Sequence, residues 1–192
     1  MARNGVRSGA TIAAFVLCAF THTPAVYGEP AQTRAIDVAA SKATFSVSHI
    51  WVDRVTGSVP VAGGVVTLAP GSLLPAGANA QLDATRIATG EPDRDAALES
   101  SDYFDVARFP TWTFVSTSVT PTGPASFTMD GNLTIHGVTQ PVRLYGTVQG
   151  DAAHPVYRTH ATIDRHSFGM TVTRLDPAIG GTVDVTLEIA LR

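Results

Sequence analysis

Apolar and polar residues alternate with period two along most of this chain, the spacing that sends successive side chains to opposite faces of a strand. From Thr44 to Trp51, the residues Phe45, Val47, His49 and Trp51 share one face. From Ser126 to Ile135, Phe127, Met129, Leu133 and Ile135 do the same, and Val142, Leu144 and Val148 share a face with Gly146 between them. The last run is the clearest: Val183, Val185, Leu187, Ile189 and Leu191 alternate with Thr182, Asp184, Thr186, Glu188 and Ala190. Weaker runs cover 65–68, 80–89, 112–118 and 156–165, which makes eight strand candidates. Turn signals stand at Gly57, Gly63-Gly64, Pro70-Gly71, Pro75-Ala76-Gly77, Thr89-Gly90, Pro121-Thr122-Gly123, His136-Gly137 and Gly150-Asp151. One wet and one dry face per strand predicts an all-β, antiparallel fold. Eight strands with short connections suit a sandwich or a closed barrel. A barrel of that size either holds one small ligand or fills with its own side chains.

One stretch breaks the alternation. Between Arg94 and Phe114, Ala96, Ala97, Leu98 and Glu99 favour a short helix, with Asp93 or Asp95 as its cap. Asp102 can cap a further turn carrying Tyr103, Phe104 and Val106, and Pro110 returns the chain to an extended form. A helix this short needs an apolar side packed on the β scaffold. Aromatics crowd the insert, which places it over an opening of the barrel.

The first residues read as an address rather than as fold. Arg3 and Arg7 precede an apolar run from Ala10 to Phe20 that is too short to cross a bilayer. Val26-Tyr27-Gly28 fits signal-peptidase spacing, so residues 1–28 are predicted to be a signal peptide, with cleavage after Ala25 as the alternative. Residues 29–192 then form a single domain of about 164 residues, exported to the periplasm and without a membrane span. Cys18 leaves with the signal, so no disulfide supports this core. Losing Arg3 and Arg7 takes the formal net charge from -3 to -5, which disfavours nucleic acid as a partner.

Catalytic patterns are sparse. The sequence holds no nucleophile elbow, no phosphate-cradling glycine loop and no histidine pair at metal-ligand spacing. No cofactor or metal is expected, and the chain is not read as an enzyme. His49 shares a face with Phe45 and Val47. It is either a core histidine bonded to a hydroxyl or carbonyl, or a polar contact for a ligand in an apolar lumen. Arg94 either faces water and pairs locally, or meets an anionic or hydroxylated ligand group at the mouth. Arg165 is expected as an ion-pair partner of Asp164 or Asp95. The aromatics Phe45, Phe104, Phe109, Trp112, Phe114, Phe127 and Phe168 bury roughly 150–250 Å² each, enough to fill a small barrel or to line a pocket.

Four blocks in order add a further signal. They are Ser41-Lys42-Ala43-Thr44-Phe45-Ser46-Val47-Ser48-His49 with Gly57; Thr89-Gly90, Arg94-Asp95, Leu98, Asp102-Tyr103-Phe104-Asp105-Val106 and Phe109-Pro110; Gly131-Asn132-Leu133-Thr134-Ile135-His136-Gly137-Val138 through Val142; and Asp164-Arg165-His166-Ser167-Phe168-Gly169-Met170 with the final strand. With these blocks the chain resembles the YceI-like family of exported bacterial proteins, across nearly all of the mature length. It departs from the family pattern at Val59, Ser167 and Gly180-Gly181-Thr182.

The resemblance implies an extended, eight-stranded, lipocalin-like antiparallel barrel that binds a polyisoprenoid or another long-chain amphiphile without known catalysis. On that reading Phe45, Val47, Phe104, Trp112, Phe114, Phe127, Met129, Leu133, Ile135 and Phe168 line the tunnel. His49 supplies a polar contact and Arg94 stands at the mouth. Two other readings stay open: a lipid-acting enzyme using His49 with Arg94 or Asp95, and a ligand-free stress or interaction protein. Homodimerisation is also left open.

Overall fold

The computed structural model describes residue 1 and residues 30–49, 53–170 and 178–192. The expected signal segment beyond Met1, with Cys18, lies outside the described residues, and so does Trp51. Among the described residues ten strands form one antiparallel sheet: β1 (Gln32–Ala35), β2 (Lys42–His49), β3 (Asp53–Ser58), β4 (Val61–Leu68), β5 (Pro75–Asp83), β6 (Thr111–Gly123), β7 (Ser126–Ile135), β8 (Val138–Gln149), β9 (Val156–Asp164) and β10 (Ile179–Ala190). Their order in the sheet is β1-β4-β5-β6-β7-β8-β9-β10-β2-β3.

The count of ten against the expected eight has a physical origin. β3 and β4 are one stave bent at Val59-Pro60, where the bonding partner changes. Val59 N still donates to Ala43 O of β2 at 3.0 Å, whereas Pro60 O already accepts from Asp83 N of β5 at 2.9 Å. Proline has no N–H to continue the first ladder, so the bend falls there. β1 is a four-residue flap on β4, and its sequence QTRA carries no apolar alternation to announce it. Past the flap, Ile36 bridges Leu191, Asp37 N donates to Ala190 O at 2.9 Å and Arg192 N donates to Ala35 O at 3.0 Å. These bonds join the two sides of the curled sheet at one end, giving the lipocalin-like barrel.

Several expected turns are strand instead. Gly57, Gly63-Gly64, Pro75-Ala76-Gly77 and Pro121-Thr122-Gly123 all lie within strands. Register shifts between Val61 and Gly63, and between Pro121 and Gly123, absorb two of these sites as bulges. The strand expected over 80–89 begins earlier, at Pro75, and gives way to a 3-10 turn at Ala84–Arg86.

The insert contains α1 (Pro92–Glu99). Neither Asp93 nor Asp95 caps it: Glu91 is the N-cap residue, with no side-chain cap bond, and Pro92 opens the first turn. The two aspartates sit in that turn, where the helix dipole favours negative charge. No residue of α1 is fully buried, so the insert is anchored by Leu98, Phe104 and Val106 against the barrel. Its exit is fixed by Phe109, whose ring meets His136 edge-on at 5.1 Å between centroids. Gly137 has φ 72°, and a side chain there would strike the same ring.

Two apolar clusters line the inside of the barrel. One gathers Ile36, Val66, Phe127, Met129, Leu144 and Tyr157 towards the end closed by β1. The other gathers Val59, Ile87, Trp112, Ile135, Ile163, Phe168 and Met170 beneath the insert.

Candidate ligand cavity

A cavity of about 420 Å³ runs between these clusters, a size that suits a small-molecule pocket. Alternate residues of facing strands build its wall. β6 contributes Trp112 and Phe114; β7 contributes Phe127, Met129, Leu133 and Ile135; β10 contributes Val183, Val185, Leu187 and Ile189. This is the strand alternation read from the sequence, turned inward by the curl of the sheet.

Eleven of the twelve anticipated residues line this cavity: Phe45, Val47, His49, Arg94, Phe104, Trp112, Phe114, Phe127, Met129, Leu133 and Ile135. Phe168 does not. It is 1% exposed, in a 3-10 turn (Arg165–Phe168) wedged where two strands part. β8 and β9 pair only from Tyr145↔His160 to Gln149↔Val156, and the stacked Tyr145 and His160 rings mark the last rung. Beyond it Phe168 packs in a cluster with Val138, Val142 and Ile163, while Gln140 Nε2 donates to Ser167 O at 2.7 Å. Phe168 therefore acts as a plug in the wall. The resemblance placed it in the lumen, and a break between two strands leaves no trace in either strand's own pattern.

Three phenylalanines lie over glycines on neighbouring strands. A methyl group built at Gly57 would stand 2.3 Å from Phe45 Cζ, one at Gly131 would stand 2.4 Å from Phe114 Cζ, and one at Gly146 would stand 2.4 Å from Phe127 Cζ. Each ring fills the space a side chain would have taken on the wall, which leaves the middle of the barrel open.

Polar groups gather at the insert end. Arg94 donates from Nε to Thr89 Oγ1 at 2.7 Å and from Nη2 to Thr89 O at 3.1 Å. Thr89 in turn donates from its amide and hydroxyl to Asp95 Oδ1 at 2.8 and 2.5 Å. Asp95 is thus a brace for Thr89, and Thr89 orients Arg94. His49 lines the cavity, is half-buried, and makes no hydrogen bond among the described residues. Arg165 is 5% exposed and donates to the carbonyls of Gly180, Met170 and Ile179 at 2.6–3.0 Å. Of its anticipated partners, Asp95 bonds Thr89, and Asp164 accepts from His166 N and Ser167 Oγ. Arg165 thus ties the 3-10 turn to the start of β10.

Deeper in, Tyr157 donates to Leu73 O at 2.8 Å, and burial pushes its phenol up to about 12. Two lining residues hold buried polar atoms without partners: Trp112 Nε1 and Thr159 Oγ1. Trp112 appeared in the sequence as an aromatic wall, and nothing in its neighbours signals an unpaired N–H. Among the described residues no group of His, Cys, Asp and Glu is placed to hold a metal ion.

Known structures share this architecture. BcnA of Burkholderia cenocepacia superposes with a TM-score of 0.72 at 21% identity, over 81% of this chain and 98% of its own. A polyisoprenoid binding domain from Saccharophagus degradans, implicated in plant cell wall breakdown, superposes with a TM-score of 0.66 at 17% identity, over 85% of this chain and 99% of that one. At these identities the likeness is one of fold. In sequence, a UPF0312 protein of Pseudomonas savastanoi is 31% identical over 111 residues, 58% of each chain. The match thus spans little more than half the length of that curated relative. The YceI-like domain model matches residues 35–191, and with that span, barrel and cavity on one chain, the protein belongs to the YceI-like family.

Proposed function

We propose that this protein is an exported binding protein that sequesters or carries one long-chain isoprenoid or similar amphiphilic lipid inside its barrel. The observation that carries the reading is the cavity itself, about 420 Å³ of space between two packed clusters, walled by aliphatic and aromatic side chains. An apolar chain entering it leaves water at about 0.8 kcal/mol per buried CH₂, so a few isoprene units outweigh part of the cost of immobilisation. The fold-level likeness to a polyisoprenoid binding domain points the same way. The function is binding, with release and delivery as its only events, and the N-terminal segment serves to take the chain to the periplasm.

The test is extraction and native mass spectrometry of the protein purified from the periplasm of its own host or a close relative. A co-purifying long-chain lipid in one-to-one ratio, on a chain beginning after residue 25 or 28, is the expected result. A protein that is empty and takes up neither farnesol nor hexadecanol would overturn the reading.

A further inference from the structure

The cavity is apolar along its length, yet the polar atoms at its insert end are not neutral in what they ask for. Among the described residues, Arg94 and Arg165 are the arginines in its wall, and no aspartate or glutamate lines it. This contrasts with a chain whose formal net charge is -3. Arg94 is held in place by Thr89, and its Nη1 has no acceptor among the described residues. Asp95 accepts from Thr89 and does not reach Arg94 as an ion pair.

A second observation is independent of the arginine. Trp112, 8% exposed, has a buried Nε1 with no hydrogen-bond partner. Its ring packs against Phe104 of the insert at 4.6 Å between centroids, in the cluster beneath α1. Indole N–H is a donor only, and so is guanidinium. A buried donor without an acceptor is costly and rare in a native fold. Arg94, on α1, and Trp112, in the cluster beneath it, both line the cavity, so this end of it carries hydrogen-bond donors. Thr159, the other lining residue with an unpartnered buried atom, both donates and accepts, so it does not choose between head groups.

We infer that the ligand ends in an oxyanion, a carboxylate or a phosphate monoester, which sits beneath the insert as an acceptor for Arg94 Nη1 and Trp112 Nε1 while its chain fills the barrel. The inference rests on the sequestration reading above and adds the head group and its orientation. Charge-assisted hydrogen bonds in a site of low dielectric are the strong ones, so an acid should bind well ahead of the neutral alcohol of the same chain.

The experiment uses the full mature chain and matched probes: palmitate against hexadecanol, and farnesyl phosphate against farnesol, titrated by calorimetry at low and moderate salt. Each acid should bind at least about tenfold more tightly than its alcohol, with the gap narrowing as salt rises. Arg94→Gln should bring acid and alcohol together, and Trp112→Phe should narrow the gap while keeping the ring, both checked for a native circular dichroism spectrum. A preference for palmitate alone assigns the head group as carboxylate, and one for farnesyl phosphate alone assigns it as phosphate. Equal binding of acid and alcohol by the wild-type chain, or a preference that survives in folded Arg94→Gln, would overturn the head-group inference and leave sequestration standing. No binding of any of the four probes would remove sequestration itself.

Discussion

The ring of Phe127 lies across Gly146, its direct partner in the register of β7 and β8, so closely that a methyl group on the glycine would stand 2.4 Å from Phe127 Cζ. The same device recurs with Phe45 over Gly57 and Phe114 over Gly131. The barrel thus keeps its largest side chains against the wall by leaving out the side chains that would push them inward.

Gly146→Val should drive the Phe127 ring into the lumen. Overpacking of this kind costs roughly 1–3 kcal/mol. The expected outcome is a folded protein with a lower midpoint of chemical denaturation and much weaker uptake of a prenyl or alkyl probe. Full uptake by the variant would mean that the ring has another place to go.

Val47 lies on β2 between Phe45 and His49 in the cavity wall. Val47→Trp adds bulk to the cavity wall, and Phe114→Arg places a charge against apolar neighbours. Both should abolish probe binding in titration calorimetry. A folded Val47→Trp protein that binds like the wild type would remove this stretch of wall from the binding path.

Asp164 caps the 3-10 turn that carries Phe168. Its carboxyl is held below the usual carboxylate range, chiefly by the His166 amide and also by Ser167 and the His166 side chain, with partial burial opposing. Because the folded pKa is the lower one, its contribution is present above the ordinary aspartate range near 3.9 and is lost as pH falls through the lowered value. Asp164→Ala should destabilise by about 1 kcal/mol at neutral pH, as loss of a cap does. The difference between wild type and variant should shrink on acidification below pH ~4, as read by thermal melts across pH.

Tyr157 provides the opposite sign. Burial is the main cause of its raised pKa of about 12, and the nearby charge of Arg34 pulls weakly the other way. An unfolded tyrosine ionises near pH ~10, so the stability held by the neutral phenol is complete below that and lost as pH rises towards 12. Tyr157→Phe should lose about 1 kcal/mol at neutral pH through the missing bond to Leu73 O. Denaturation midpoints of wild type and variant should converge between pH 10 and about 12. A constant difference across that window would place the phenol in water.

The wall of the cavity was legible because it depends on strand alternation. Phe127, Met129, Leu133 and Ile135 point inward for the same reason they share a face in the sequence. The mouth was legible in part. Arg94, Phe104 and Trp112 stand out as a polar and aromatic insert in a β chain, but not as a set of hydrogen-bond donors. The role of Asp95 as a brace for Thr89 comes from a tertiary turn, and a reading based on helix capping misassigns it. β1 and β3 were illegible, since QTRA and DRVTGS carry almost no apolar periodicity and are defined by the strands that pair with them.

By itself the sequence determined that this protein is built of antiparallel strands with one dry face, broken once by a short insert. Those features follow from local spacing, and local spacing survives in one dimension. Only the tertiary structure decided that Phe168 plugs a gap between β8 and β9 instead of lining the lumen. It alone decided that β3 and β4 form one bent stave, and that the indole of Trp112 is left without an acceptor. Each of these depends on which strands meet, and where a ladder stops. Pairing between residues distant in the chain sets both, and no window along the chain contains it.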